Sequence, residues 1–349
     1  MSVTIYDVAR RAKVGIGTVS RVINNSPHLS PRTRARVLKT IRELKYQPHA
    51  LAQGLARKKT NVIAAILPVF TGYFFLELLK GVQQEISKHQ YNLLLYSVDH
   101  TDKIDDCLKK TLREKRVDGV LLISLRIPDA IASTFCQSEF PIVLIDSEHP
   151  NLDSIVVENK KGAFTATEHL IQLGHRRIGM IDGHLSSSPA RVRLEGFREA
   201  LREHRMSFDN RYLSISHLSD NLDGFNRESG YSAMSRLLAL GSDRPTAVFV
   251  ASDIQAAGAI RAIHEAGFSI PEDVAVVGFD DIELAEYLEL TTVRQPMGEM
   301  GRLGVQRLMD RISGKKDDRV CIRFSPNLVI RRTCGALHEE AHDHRIHTG

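Results

Sequence analysis

Thr4 to Asn24 reads TIYDVARRAKVGIGTVSRVIN, and this stretch decides what the N-terminal end of the chain is. Thr4 is a good helix N-cap, and Asp7, three residues later, supplies the return bond of a capping box. Ile5, Val8, Ala9 and Ala12 share one face. The run breaks at KVGI, and Val19, Val22 and Ile23 resume helical spacing. Further along, NNSPHL is a loop. Ser30 then caps a third helix with Pro31 at its first position, where the missing N–H costs nothing. Val37, Leu38, Ile41 and Leu44 make the apolar stripe of that helix. Three short helices within residues 1–46, the first two joined by a tight turn, form an all-α helix-turn-helix head.

Charge supports a nucleic-acid role for this head. Residues 1–60 hold 13 Lys and Arg against 2 Asp and Glu, while the other 289 residues hold 34 against 40. The overall +5 is thus a balance of +11 on the head against −6 on the body, the layout of a DNA-binding module joined to something else. A recognition helix offers base edges its first residues and one a turn later, here Ile16, Gly17 and Arg21. Arg21 can donate two bonds to guanine, and Ile16 can pack on a thymine methyl. Thr4, Thr18, Ser20 and Asn24 suit phosphate oxygens, which set register. Arg32, Arg34 and residues 57–59 add counter-charge, so affinity falls with salt. Residues 47–60 form a linker whose short helix is marginal by itself. In a two-fold dimer its Leu55 can wedge between base steps from the minor groove, or pack on its symmetry mate.

From Asn61 the periodicity changes. NVIAAILPV, YNLLLYSVD, DGVLLIS and PIVLIDS are unbroken apolar strands with helices between them. After SIVVEN the theme restarts with RRIGMIDG, RYLSIS, TAVFVAS and DVAVVGFD. Such strands belong to parallel sheets covered on both faces. Their number implies two α/β lobes: lobe 1 over about 61–161 and 293–322, lobe 2 over about 162–292 and 323–333. Residues 334–349 read as a disordered His-rich tail.

The expected ligand site lies at the carboxyl ends of the strands. That rule selects Phe74 and Phe75, Asp146 and Ser147, Asp253 and Asp280. Asp253 reads first as a helix N-cap, whereas Asp280 reads as a site residue ahead of the alternative, a cap for the short helix after it.

TIYDVARRAKVGIGTVSRVIN resembles the N-terminal signature of the LacI/GalR family of bacterial transcriptional regulators, and YQPHALAQGLARKKTNVIAAILP resembles that family's hinge. LGHRRIGMIDG, RLEGFREAL, RPTAVFVASD, VAVVGFDD and LTTVRQP continue the likeness over roughly residues 3–333. The resemblance implies a periplasmic-binding-protein-like effector domain and a homodimer, at times a tetramer, on a near-palindromic operator of double-stranded DNA. It implies a repressor whose operator affinity is set by a small ligand between the lobes, a carbohydrate in the leading reading and a purine or sugar-phosphate corepressor in the alternative. It also implies that Leu55 intercalates at the central step. By the same likeness Arg193 and Asp280 grip the effector, and Ser252 stands where an asparagine is frequent. Phe74, Phe75, Phe225 and Tyr231 wall the pocket, and Gln295 reaches it. Gly15 replaces the usual serine cap of the recognition helix, Lys13 stands where the turn often has glycine, and Ile16 and Gly17 replace polar base readers.

Other classes fit less well. No GxGxxG follows the first strand, and neither GxxxxGK[ST] nor GxSxG is present, so an α/β enzyme is not expected. A plain solute-binding protein has no use for the basic head. The four cysteines form no CxxC pair, and the tail histidines follow no HExxH pattern, so no cofactor or metal is expected. Charges from Asp7 onward interrupt any signal peptide, and no stretch is long enough to cross a bilayer. The expected location is the cytoplasm. The tail lacks a leucine heptad, which favours dimer over tetramer.

Overall fold

The computed structural model describes residues 3–23, 28–46, 59–68, 72–98, 102–114, 116–185, 187–216 and 224–336. The chain divides between Asn61 and Val62 into two compact units. Asn24, Leu55 and the tail histidines lie outside the described residues.

The first unit contains α1 (Ile5–Ala12), α2 (Ile16–Ile23) and α3 (Pro31–Glu43). Asp7 accepts from the Thr4 backbone N–H at 2.9 Å and its hydroxyl at 2.7 Å, closing the first turn as the capping-box spacing requires. Ser30 accepts from the Thr33 N–H at 3.3 Å. The core is small: Val8, Ala9, Ala12, Val19, Val22 and Val37 are buried. Leu38, expected in the stripe of α3, is exposed instead, and Thr40 is buried. Positions 37, 40, 41 and 44 are the three-and-four series, and Leu38 lies one step off it. The Thr40 hydroxyl is satisfied within the helix by the Arg36 carbonyl at 3.0 Å.

The second unit is two α/β lobes, each built on a six-stranded sheet. Its elements in chain order are β1 (Val62–Leu67), α4 (Tyr73–Ile86), β2 (Asn92–Ser97), α5 (Asp102–Glu114), β3 (Gly119–Ile123), α6 (Asp129–Ser138), β4 (Ile142–Ile145), β5 (Asp153–Val157), α7 (Asn159–Gln172), β6 (Ile178–Asp182), α8 (Ser188–Glu203), β7 (Leu213–Ile215), α9 (Arg227–Leu238), β8 (Ala247–Val250), α10 (Asp253–Glu265), β9 (Ala275–Asp280), α11 (Glu283–Tyr287), β10 (Thr291–Arg294), α12 (Met297–Ile312), β11 (Cys321–Phe324) and β12 (Asn327–Val329). One sheet runs β11-β5-β4-β3-β1-β2 and the other β12-β10-β9-β8-β6-β7. All pairings are parallel except β10 with β12. The central strands are buried along their length apart from the half-buried Val62 that opens β1, which is why they read as continuous apolar runs.

Two lobe boundaries shift from the sequence expectation. Val293 and Arg294 pair with Phe279 and Asp280, so they belong to the second lobe. Arg323 and Phe324 pair with Val156 and Val157, so they belong to the first. Ladder register decides this, and for β11 it joins residues more than a hundred positions apart in the chain. In the first lobe α4 and α12 approach backbone to backbone: a Cβ on Gly81 would sit 1.9 Å from the Gly298 carbonyl oxygen.

Candidate functional site

On the head, Ile16 is 42% exposed, and Gly17 and Arg21 are exposed with it. Val19 and Val22 turn the opposite face of α2 into the core. Arg21 makes no hydrogen bond or ion pair among the described residues, so its five donors are available to a ligand. Thr18 and Ser20 are half-buried, and Thr4 is exposed at the start of α1. The Gly15 carbonyl accepts from Thr18 and Val19 at 2.9 and 3.2 Å, so Gly15 occupies the cap of α2. Lys13 ends α1 with φ of 51°, a left-handed conformation that glycine adopts at less cost.

In the second unit a cavity of about 880 Å³ opens between the lobes at the carboxyl ends of the strands. Phe74 and Phe75, in the first turn of α4, and Phe225 supply aromatic wall. Asp146, Arg193, Ser252 and Asp280 supply polar groups. Arg193 is the centre of the site and is only 4% exposed. Its Nε donates to Asn159 Oδ1 at 2.8 Å and its Nη1 to the Ala251 carbonyl at 2.5 Å. Nη1 also lies 3.7 Å from Asp280 Oδ1. The guanidinium stacks 3.9 Å from the Phe279 ring centroid and 5.6 Å from that of Phe225. A cation so held is pre-organised, with little rotamer freedom left to lose on binding.

The carboxylates around it carry the cost of burial. Burial raises Asp280, against the pull of Arg193 and of Gln295. Burial likewise raises Asp146, against the Ser124 hydroxyl and Arg193. The Ser124 hydroxyl donates to Asp146 Oδ2 at 2.8 Å. Ser124, Asp146 and Asp280 have φ of 53°, 56° and 119°. Three non-glycine residues in the left-handed region at strand ends are strained in the manner of binding sites.

Several residues chosen from the sequence fall elsewhere. Tyr231 is not on the cavity wall: one turn into α9, its hydroxyl donates to Glu265 on α10 at 2.7 Å and Arg261 lies over its ring. Gln295 sits behind Asp280, to which its Nε2 donates at 2.6 Å; it positions that carboxylate without lining the cavity. Asp253 is not the N-cap of α10, because Ser252 takes that place and accepts from the Gln255 N–H at 3.3 Å. Asp253, one residue further, turns inward and accepts from the Ile282 N–H at 3.0 Å and the Thr292 hydroxyl at 2.6 Å. Burial first, and the Asp280 charge second, raise its carboxyl well above the usual range. Asp280 caps nothing, since α11 begins after Ile282. Ser147 bonds the Leu125 carbonyl at 2.9 Å and lies outside this cavity.

Sequence reasoning missed Asp182, Asn159, Ser124 and Gln255. Asp182 ends β6 in IGMID, so the strand-end rule that selected Asp146 and Asp280 selects it too. It is fully buried, and burial pushes its carboxyl up to about 8. Its Oδ1 accepts from the Gly183 N–H at 2.8 Å, while Oδ2 has no partner among the described residues. Gln255 ties the Asp182 carbonyl to Ser216, Gly224 and Ser229. No group of three or more His, Cys, Asp or Glu among the described residues is arranged to hold a metal. No described helix is long and apolar enough to cross a membrane.

A basic three-helix head and a two-lobe domain with a ligand-sized cleft also occur together in known proteins. The family described as bacterial regulatory proteins, lacI family, matches residues 4–49, and that described as a periplasmic binding protein-like domain matches residues 167–334. Over 340 residues the chain is 36% identical to the ribose operon repressor of Haemophilus influenzae, covering 96% of this chain and 99% of that one. The chain belongs to the LacI family. This regulator is also 35% identical to the transcriptional repressor PurR of Photobacterium profundum, covering 95% and 98% of the two chains. It superposes on the lac repressor dimer bound to operator and the anti-inducer ONPF with a TM-score of 0.80, at 29% identity over 96% and 99% of the chains. With repressors as its relatives, the LacI-family chain is a DNA-binding regulator of transcription and not an enzyme.

Proposed function

We propose that the regulator represses transcription from a near-palindromic operator as a homodimer and is released by a neutral carbohydrate held between its lobes. The observation that carries the effector reading is the Arg193–Asp280–Asp146 group between the phenylalanines of the cleft. Fixed donors and acceptors beside aromatic faces suit adjacent hydroxyls on a ring with an apolar side. The ribose operon repressor among its relatives supports the sugar class. On the head, Arg21 reads a guanine and Ile16 a thymine methyl, while Thr4, Thr18 and Ser20 hold phosphates. The second copy is expected on the first lobe, where Tyr73 and Leu76 of α4 and Leu94 and Leu95 of the edge strand β2 are exposed. Exposed apolar side chains beside an unpaired strand edge favour association with another chain.

The test selects duplexes from a random library with the full-length protein. Thermal shifts then screen sugars, sugar phosphates and nucleobases, and operator affinity is measured with each binder. A neutral sugar that raises the melting temperature and weakens operator binding is the expected result. A nucleobase or sugar phosphate that binds and tightens operator binding replaces the reading with corepression, to which the likeness to PurR lends weight.

A further inference from the structure

A second cavity, of about 510 Å³, lies where β5 passes into α7, on the crossing between the lobes. Asp146, Ser188 and Pro189 line both it and the main cleft, so the two chambers share one wall, made by both lobes. The apolar part of the second chamber is Val156 from β5, Phe164 from α7 and Val192 from α8, while Val157 packs into the core of the first lobe. Its rim is charged, but the charges are already spent. Lys160 pairs with Glu199 at 2.6 Å and Arg323 with Glu148 at 2.5 Å. Lys161 donates to Ser325 at 3.0 Å and faces Glu158 at 3.8 Å. A phosphate or an ammonium would have to break one of these pairs. A neutral ring with one apolar face would not.

We propose that this chamber is a second subsite of the effector site, and that the effector is a neutral oligosaccharide running from the main cleft past Asp146 onto the Phe164–Val192 floor. This rests on the carbohydrate reading above. Asp146 suits the junction because it belongs to both chambers. Its backbone is held at φ 56° and its Oδ2 is bonded to Ser124, which fixes the direction of the carboxylate. A ligand that occupies both chambers touches both lobes on both sides of the crossing. It therefore has more differential contact with one lobe arrangement than a single ring has, and differential contact is what shifts a conformational equilibrium.

The test uses the full-length protein and a panel of neutral sugars from single pentoses and hexoses to tetrasaccharides of the gluco, xylo, manno and galacto series. Binding is measured by calorimetry. The expected result is a best ligand of two or more rings, at least tenfold tighter than its own single-ring unit. Val192→Trp fills the second chamber without entering the first. It should remove that tenfold gain while leaving single-ring binding and operator affinity unchanged. Val192→Ala, which opens the chamber, should keep the gain. If Val192→Trp leaves the long ligand as tight as before, or if single rings bind as well as longer ones, the second subsite is wrong and the sugar site stands. If no sugar of any length binds, the carbohydrate reading fails and takes this one with it.

Discussion

The head keeps a small core of valines and alanines and leaves most of its described cations exposed, whereas the effector domain removes Asp146, Asp280 and Arg193 at the cleft, and Asp182 and Asp253 behind it, from water. The head's exposed charge can exchange partners, and screening by salt weakens it. The cleft's charge is fixed in advance by desolvation, so its effects appear in stability and pH dependence even before a ligand arrives. Each experiment below strikes one side of this contrast and leaves the other standing if the contrast is right.

Arg193 should give the largest effect. Arg193→Met keeps the stem over Phe279 but leaves Asn159 Oδ1 and the Ala251 carbonyl without this donor and Asp280 without its counter-charge. Breaking one side of a buried charge cluster costs on the order of 3–5 kcal/mol. Thermal unfolding of the effector domain should fall by many degrees, and effector binding should be lost. Salt-dependent binding to non-specific duplex should persist. An unchanged melting temperature would mean that Arg193 is not the counter-charge of the cleft.

Next comes pH. Asp182 is pushed up to about 8 from an ordinary value near 3.8. The folded state thus holds this proton more tightly than the unfolded chain does. Its stabilising effect is complete below about pH 4 and is lost as pH rises through 8, so stability declines across that window. Asp146, Asp253 and Asp280 are raised in the same direction. Asp182→Asn keeps an acceptor for the Gly183 N–H and carries no charge. It should flatten the decline by one proton's worth, a difference on the order of a few kcal/mol at pH 8. Denaturant titrations from pH 4 to 8 check it, and an equal slope in the variant would refute the buried-proton assignment. The head has no buried carboxylate, and its unfolding should not follow this curve.

The contrast also explains what could be read from the chain alone. The head is legible because its signals are local: a capping pair three residues apart, a proline at the first turn of α3, and helical spacing. Leu38 lies one position off that spacing and is exposed. In the effector domain the strands were legible as apolar runs, but the partners of their terminal residues were not. Gln295 meets Asp280 only because β10 lies beside β9 in one register. Tyr231 faces Glu265 only because α9 and α10 pack with Gly230 and Gly258 at their crossing. Asp182 carried the same strand-end signal as Asp280, and applying that rule to every strand selects it.

Arg21 tests the other side. Arg21→Ala should cost operator binding about 1–3 kcal/mol at the base it reads, roughly a 5- to 150-fold loss. Non-specific duplex binding should weaken far less, and the effector domain should melt unchanged. Equal losses on specific and non-specific duplexes would reassign Arg21 to a phosphate.

The smallest effect belongs to the turn before α2. Gly15 holds the cap position without a side chain to accept from the helix's free N–H groups. Glycine at a cap costs only a few tenths of a kcal/mol relative to serine, so Gly15→Ser should stabilise the head by that little. A Cβ at Gly15 meets nothing within 4 Å, so no clash opposes the gain. Hydrogen exchange of the α2 amides in the full-length protein should slow by less than about threefold, since a few tenths of a kcal/mol is a factor of about two. Exchange in the effector domain should not change. Faster exchange in α2 would mean that the Gly15 backbone is held in a conformation serine resists, and the local account of the head would then fail at the turn on which its fold rests.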